Sequence, residues 1–394
     1  MSPSVDGWRT RQAIAPSLDA PLAGCCAASL DDRPRWLFAT TSGAIVGADL
    51  ETGEIFFEGR LPFSAVVPDR LPPWLGLTLT TSDDGRFLAV AQRRGLEGAV
   101  FDLQRGEVVQ QLTRGAYHPE HCTFGLCFLD EHRLVHAVEW NQLAVTDVRT
   151  GARLDPQPDA AKLDYFFGAV ERSPDRERLV TSGWVWQPVA VVADFELGPW
   201  LRGESPEPRF SGNGVDGEDW DLPLCWTGPA TFVTFMTDAF QKSSLVRCDV
   251  TSERAHEAVI EASLCHALAP RGDELLCLGS DGAEARDAAT LEIRASAPVG
   301  TFAWHPGAQE ALGVSAITGE GPWQLVSRPR TPWRLPPSLA AQARAAHAQP
   351  SAEARLVLAD ALEAAGFGGA PLEHLRAHGD DGRRCFVVDD LALG

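Results

Sequence analysis

The residues with the clearest capacity for chemistry lie at positions 117–122. His118, His121 and Cys122 are all metal-ligand types packed into a few positions. They offer three ligands, and no obvious fourth completes a zinc set. His132, His136 and Glu139 have the spacing of a helical ligand set. Their stretch is strand-patterned, however, which points His136 and Glu139 to opposite faces. Residues 211–221 gather Asp216, Glu218, Asp219 and Asp221 among glycines. An EF-hand loop needs oxygen ligands at positions 1, 3, 5 and 12 around its glycine. With Gly217 in that place, positions 1, 3 and 12 are Gly212, Gly214 and Pro223, so the loop reads as solvated acid rather than a calcium site. No glycine-rich phosphate loop, G-x-S-x-G or H-E-x-x-H is present. Glu171 is the one carboxylate expected to face inward, and one carboxylate does not make an acid/base pair. The expectation is therefore no catalytic residue, no metal and no cofactor.

The elements that must position these residues repeat along the chain. The unit is an apolar strand, a polar turn, a second apolar strand, a short loop and a strand ending in Asp. Residues 75–109 show it best, with the turn Ser82-Asp83-Asp84-Gly85 between Thr80 and Phe87. Asp and Ser bond back to nearby backbone there, and Gly takes the positive-φ position. The turn slot recurs as Ser173-Pro174-Asp175, Pro270-Arg271-Gly272-Asp273 and His305-Pro306-Gly307. The strand-end Asp recurs at Asp49, Asp102, Asp147, Asp194, Asp249 and Asp287, and Gly53, Gly106 and Gly151 follow three of these. A seventh, worn copy runs from Thr301 through Trp304 to Val326, with Ser327 in the Asp slot. Four short strands per repeat, seven times, predict an all-β, seven-bladed β-propeller over residues 20–335. Blade 7 runs out of strands near Arg328, so the segment 1–19, through Trp8 to Ala15, is expected to close the ring and hide its edge.

These repeats resemble the WD40 family, with Phe101-Asp102 nearest its Trp-Asp signature and the family's Gly-His pair missing. The resemblance implies the propeller fold and, on the fold alone, no particular function. Asp49-Leu50-Glu51-Thr52-Gly53 also looks like the repeat of quinone-cofactor propeller dehydrogenases, in one copy, and is read as shared turn chemistry.

After Pro336-Pro337 the texture turns helical, and residues 336–394 are expected to form a small α-helical tail. Ser351 is a good N-cap for a helix with Leu356, Ala359 and Leu362 on one face. Leu356, Leu362 and Phe386 are expected to pack together or against the propeller. The tail resembles a short helical module that ends uncharacterised bacterial proteins, through Leu358 to Glu363, His374-Leu375-Arg376 and Arg384-Cys385-Phe386. That resemblance implies no activity.

Composition narrows the partners. The formal charge is -20, which repels nucleic acid and anionic lipid and attracts basic proteins or cations. The nine cysteines lack any C-x-x-C and read as buried thiols of a reducing compartment, so a cytoplasmic location is expected. Leu22-Ala23-Gly24-Cys25 imitates a lipoprotein cleavage box, but Asp6, Arg9, Arg11, Gln12 and Asp19 break the apolar run such a signal needs. In a propeller, the loop into each inner strand and the loop between second and third strands open on one face. Here those loops are long and carry Arg93, Arg94, Trp140, Asn141, Trp184, Trp186, Phe240 and Trp323. Trp and Arg dominate binding hot spots. The expectation is a non-enzymatic protein-interaction scaffold, using these residues with the acids at 216–221 against a partner bearing a basic segment. The alternative is a propeller enzyme, hydrolase or lactonase-like, with a metal or carboxylate site at the channel mouth.

Overall fold

The computed structural model describes residues 8–30, 33–65, 75–155, 164–185, 189–202, 204, 209–211, 223–237, 242–252, 258–262, 265–298, 300–306, 310–313, 322–327, 337–348, 351–364 and 375. It is a seven-bladed β-propeller, each blade a four-stranded antiparallel sheet. The N-terminal strand β1 (Arg9–Gln12) belongs to the last blade. Blade 1 holds β2 (Leu22–Leu30), β3 (Arg33–Thr40), β4 (Ala44–Ala48) and β5 (Ile55–Arg60). Blade 2 holds β6 (Leu77–Thr81), β7 (Phe87–Gln92), β8 (Glu97–Asp102) and β9 (Glu107–Thr113). Blade 3 holds β10 (Leu126–Phe128), β11 (Arg133–Glu139), β12 (Gln142–Asp147) and β13 (Ala152–Arg153). Blade 4 holds β14 (Phe166–Arg172), β15 (Arg178–Val185), β16 (Val189–Glu196) and β17 (Arg209–Ser211). Blade 5 holds β18 (Leu224–Trp226), β19 (Thr231–Thr237), β20 (Ser243–Asp249) and β21 (Ala258–Glu261). Blade 6 holds β22 (Ala267–Arg271), β23 (Glu274–Leu278), β24 (Ala283–Asp287) and β25 (Ile293–Ala297). Blade 7 combines β26 (Thr301–His305), β27 (Glu310–Gly313) and β28 (Gln324–Ser327) with β1.

The first strands of successive blades touch in a closed circuit, β2 to β6, β10, β14, β18, β22, β26 and back to β2. They therefore line the central channel. Apolar clusters fill the interfaces between blades, as Leu37, Leu88 and Phe101 do for blades 1 and 2. β1 pairs antiparallel with β28, Arg9 opposite Ser327 and Gln12 opposite Gln324. The Ala13 N–H then donates to Trp323 and the Ile14 N–H to Leu50, carrying the chain from blade 7 to blade 1.

The recurrent Asp has a local job. Its Oδ1 accepts backbone N–H groups of the turn into the fourth strand: Glu51 and Thr52 for Asp49, Gln104 and Arg105 for Asp102, Ala289 and Thr290 for Asp287. Four residues after the Asp, the chain needs a left-handed residue, and Gly53, Gly106 and Gly151 supply it at φ 77°, 71° and 70°. In blade 6 the same slot holds Leu291 at φ 63°, its side chain fully buried.

Two tail helices, Pro337–Ala348 and Ala352–Ala364, pack through Leu339, Ala343, Ala346, Leu358, Ala359 and Leu362. Ser351 Oγ caps the second by accepting the Ala354 N–H at 3.1 Å. The expected face is corrected in one place: Leu356 is 45% exposed, and Leu358 takes the inward position beside Ala359 and Leu362. The inward row is 355, 358, 359 and 362, the i, i+3, i+4, i+7 series of a helix. Phe386 lies outside the described residues. Among the described residues, no helix is long and apolar enough to cross a membrane.

Candidate functional site

The most built-up region of the loop-bearing face joins blades 2, 3 and 4. It begins in β14, where strand alternation sends Phe166 to one face and Tyr165 and Phe167 to the other. Phe166 lies opposite Trp184 of β15, and their rings stack at 3.7 Å and 7°. Trp184 Nε1–H donates to Cys122 Sγ at 3.0 Å. Trp140, at the tip of the β11–β12 hairpin, packs on Phe166 at 4.3 Å. Its carbonyl accepts the Phe167 N–H, which ties this hairpin to blade 4. Tyr117, in the loop between blades 2 and 3, packs 5.6 Å from Trp140 and 5.9 Å from Phe166. The result is a ladder of four aromatics, buried at Trp184 (4% exposed) and open at Tyr117 (45%).

A buried arginine holds the loop beneath this ladder. Arg114 donates to the carbonyls of Gly95 (2.6 Å), Pro119 (2.9 Å), Cys122 (2.9 Å) and Thr123 (3.2 Å) and lies 5.0 Å over the Phe124 ring. The loop above it makes a single 3-10 turn, Pro119–His121. His118 precedes the turn in the left-handed region at φ 50°, ψ 41°. For a residue with a Cβ that conformation costs about 1–2 kcal/mol. It aims the His118 ring back over the turn. Glu120 Oε1 stands 3.3 Å from His118 Nδ1 and 3.4 Å from His121 Nε2. Burial works to raise the Glu120 carboxyl, but its own backbone N–H and the two imidazoles hold it below its ordinary value.

The sequence-predicted residues fare differently. Trp140 and Trp184 do come together, but the expected exposure of Trp184 is corrected: it is a strand residue under Phe166, because β15 runs on to Val185. Trp323 is likewise buried, edge-on to Phe38 at 5.2 Å. Asn141 is buried beside Trp140 in the hairpin tip, and Arg93 and Arg94 are half-buried between β7 and β8. The Arg93 carbonyl accepts the Phe124 N–H. Trp186, Phe240, Asp216, Glu218, Asp219 and Asp221 lie outside the described residues. The set His118, His121 and Cys122 is also corrected. Cys122 is turned inward to Trp184, and Glu120 takes its place beside the histidines. His136 is buried, which pushes its imidazole down to about 4, while Glu139 is exposed at the end of the strand; the strict alternation expected between them is corrected, because the register shifts between Ala137 and Glu139. Tyr117, Phe166, Arg114 and Glu120 were not foreseen. The available signals were the polar run Tyr117-His118-Pro119-Glu120-His121 and the aromatic triplet at 165–167.

Glu171 lies on β14, the channel strand of blade 4. Its side chain keeps solvent access while protein encloses it, and the thiols of Cys127 and Cys225 in the flanking blades feel its charge. Desolvation is the leading cause that lifts its carboxyl to about 7, and Arg172 pulls the other way. Ionising Glu171 therefore costs the folded protein something the unfolded chain does not lose. That penalty is absent below the ordinary value of 4.5, grows as pH rises towards 7 and is constant above it. Because the side chain is exposed, solvent screens most of this penalty, and Glu171→Gln should raise the melting temperature by only on the order of 2 °C near pH 8 and leave it unchanged near pH 4. A thermal denaturation series showing equal shifts at both pH values would refute this assignment.

No protein-family model matches the sequence, and no curated protein matches it, so a functional reading rests on the geometry of the blades and of this face.

Proposed function

We propose that the chain is a non-enzymatic protein-interaction scaffold of WD40-like type, and that its binding face is the rim over blades 2–4. The observation that carries this is the aromatic ladder, rigid at its buried end and open at Tyr117. Rigid aromatics give contact area at little entropic cost. Glu120 and Glu139 are both exposed beside it, Glu139 lying against Gly115. An aromatic face flanked by carboxylates suits a guanidinium or ammonium group. The chain's charge of -20 favours the same partner, a protein with a basic segment. Trp186, Phe240 and the acids Asp216, Glu218, Asp219 and Asp221 extend this face in the proposal, with Arg93, Arg94 and Asn141 along its base. A cytoplasmic location accords with eight described cysteines that are free thiols.

Tyr117→Ala combined with Trp140→Ala should weaken partner binding by about 2 kcal/mol or more, roughly thirtyfold. Affinity purification from the native host followed by mass spectrometry would identify the partner, and titration of wild type against the double variant would check the loss. An unchanged set of co-purified proteins and unchanged affinities would sink the proposal.

An enzyme with a metal at the channel mouth is the alternative. The observation in its favour is the grouping of His118, Glu120 and His121. Hydrolytic turnover by the purified protein that depends on these residues would favour it over the scaffold.

A further inference from the structure

We propose that His118, Glu120 and His121 bind a divalent transition metal of the zinc(II) class, through His118 Nδ1, Glu120 Oε1 and His121 Nε2. This goes beyond the scaffold function and does not rest on it.

The distances separate a metal site from an ion-paired turn. Charge-assisted N–H···O bonds settle at about 2.7–2.9 Å. Both contacts of Glu120 are longer, at 3.3 and 3.4 Å. Zinc bonds of about 2.0–2.2 Å to nitrogen and oxygen make tetrahedral edges of about 3.3–3.5 Å. The two separations match such edges. One ligand atom of each residue lies within 4.8 Å of those of the other two, so a modest ring adjustment closes the third edge.

The donor set selects the ion. Calcium and magnesium take oxygen ligands. Two imidazoles with one carboxylate suit zinc and its transition-metal neighbours. Three protein ligands leave at least one position open, which is the pattern of an exchangeable rather than a structural site. Water, or a donor group from a bound molecule, fills that position.

The ligands are also held in place before the ion arrives. Pro119 fixes φ at the start of the turn. The carbonyls of Pro119 and Cys122, on either side of Glu120 and His121, both accept from buried Arg114. The Tyr117 ring packs edge-on against His118 at 4.6 Å. Ligands supported from a rigid layer beneath bind with little reordering.

The test uses the full-length, untagged chain after treatment with a chelator. Zinc(II) chloride is titrated by calorimetry, and cobalt(II) chloride is followed by visible absorption. One equivalent of each should bind, zinc in the micromolar range or tighter. The cobalt form should show the visible bands of a four- or five-coordinate ion without a thiolate charge-transfer band. His118→Asn, Glu120→Gln and His121→Gln should each weaken zinc binding at least about tenfold, since even outer-shell partners are worth 10–100-fold. All three substitutions fall in a surface loop, and circular dichroism checks that each variant is folded. Absence of a saturable single site would overturn the proposal, as would zinc binding that survives all three substitutions. A thiolate band would overturn this ligand set in favour of one containing Cys122.

Discussion

A chain lacking residues 1–13 is expected to melt more than about 10 °C below the full-length protein and to aggregate as it does so. Trp8 is buried among Ala269, Leu276, Ala285 and Val326, where blade 7 meets blade 6. Removing a buried Trp costs about 3–5 kcal/mol. Each kcal/mol shifts the melting temperature by about 2–4 °C in a domain of moderate size. The deletion adds the loss of the β1–β28 ladder and of the two-pronged contact from Arg11 to Glu310, both prongs 2.7 Å. It also bares the edge of β28, whose Leu325 and Val326 are fully buried in the closed ring. An apolar strand with unpaired N–H and C=O groups is a template for association. Trp8→Ala alone should show about half the loss, and Arg9→Ala, at an exposed position, almost none. Thermal denaturation with light scattering reads both quantities. A truncated chain that melts with the full-length protein would show that β1 does not carry the closure.

The blades were legible in the sequence because their turns are local chemistry. Asp102 and Gly106 act on the four residues around them, so the pattern survives without knowledge of the neighbouring blade. The pattern blurs where another residue takes the special conformation. Leu291 occupies the glycine slot of blade 6, and Arg176 at φ 65° takes the place that Gly85 fills in blade 2. Asp194 pairs with Arg178 as Asp102 does with Arg86, but its strand runs on through Glu196 into a short helix, Leu197–Leu201. The closing strand was legible for another reason: blade 7 lacked a strand and the N-terminus offered one.

The proposed binding face was less legible because it is assembled between blades. Sequence position suggests Trp140 and Trp184 as loop residues, but Trp184 is in β15, burial depends on register, and only the pairing of Phe166 with Trp184 puts both rings on one side. Phe166 sat in an aromatic triplet that reads as ordinary core. Ligand type alone favours Cys122 over Glu120, because the sequence carries no direction for either side chain. In the folded loop, Cys122 follows the chain inward to the indole of Trp184 while Glu120 stays on the turn between the two histidines. Arg114 directly follows the end of β9, and nothing in the local sequence announces that four carbonyls converge on it.

Those four carbonyls make Arg114 the residue on which this face depends. Arg114→Met should cost about 3 kcal/mol or more, since hydrogen bonds from a charged group are worth about 1.5–3 kcal/mol each and are not additive. The loss has a ceiling, because the loop can open without unfolding the propeller. Global melting should therefore fall by only a few degrees. Amide hydrogen exchange across residues 115–124 should rise by roughly a hundredfold, the equivalent of about 3 kcal/mol of local opening. Arg114→Lys should not rescue it, because a single ammonium cannot reach the carbonyls of Gly95, Pro119, Cys122 and Thr123 together. Tyr117 and His118 lie in the same loop, so partner binding and zinc affinity should fall together in Arg114→Met while Phe166 and Trp184 stay stacked. Exchange measured by mass spectrometry, peptide by peptide, separates this from a general loosening. If residues 115–124 stay protected in Arg114→Met, the guanidinium is not what fixes the loop. If protection is lost equally in all seven blades, Arg114 supports the whole propeller rather than this face.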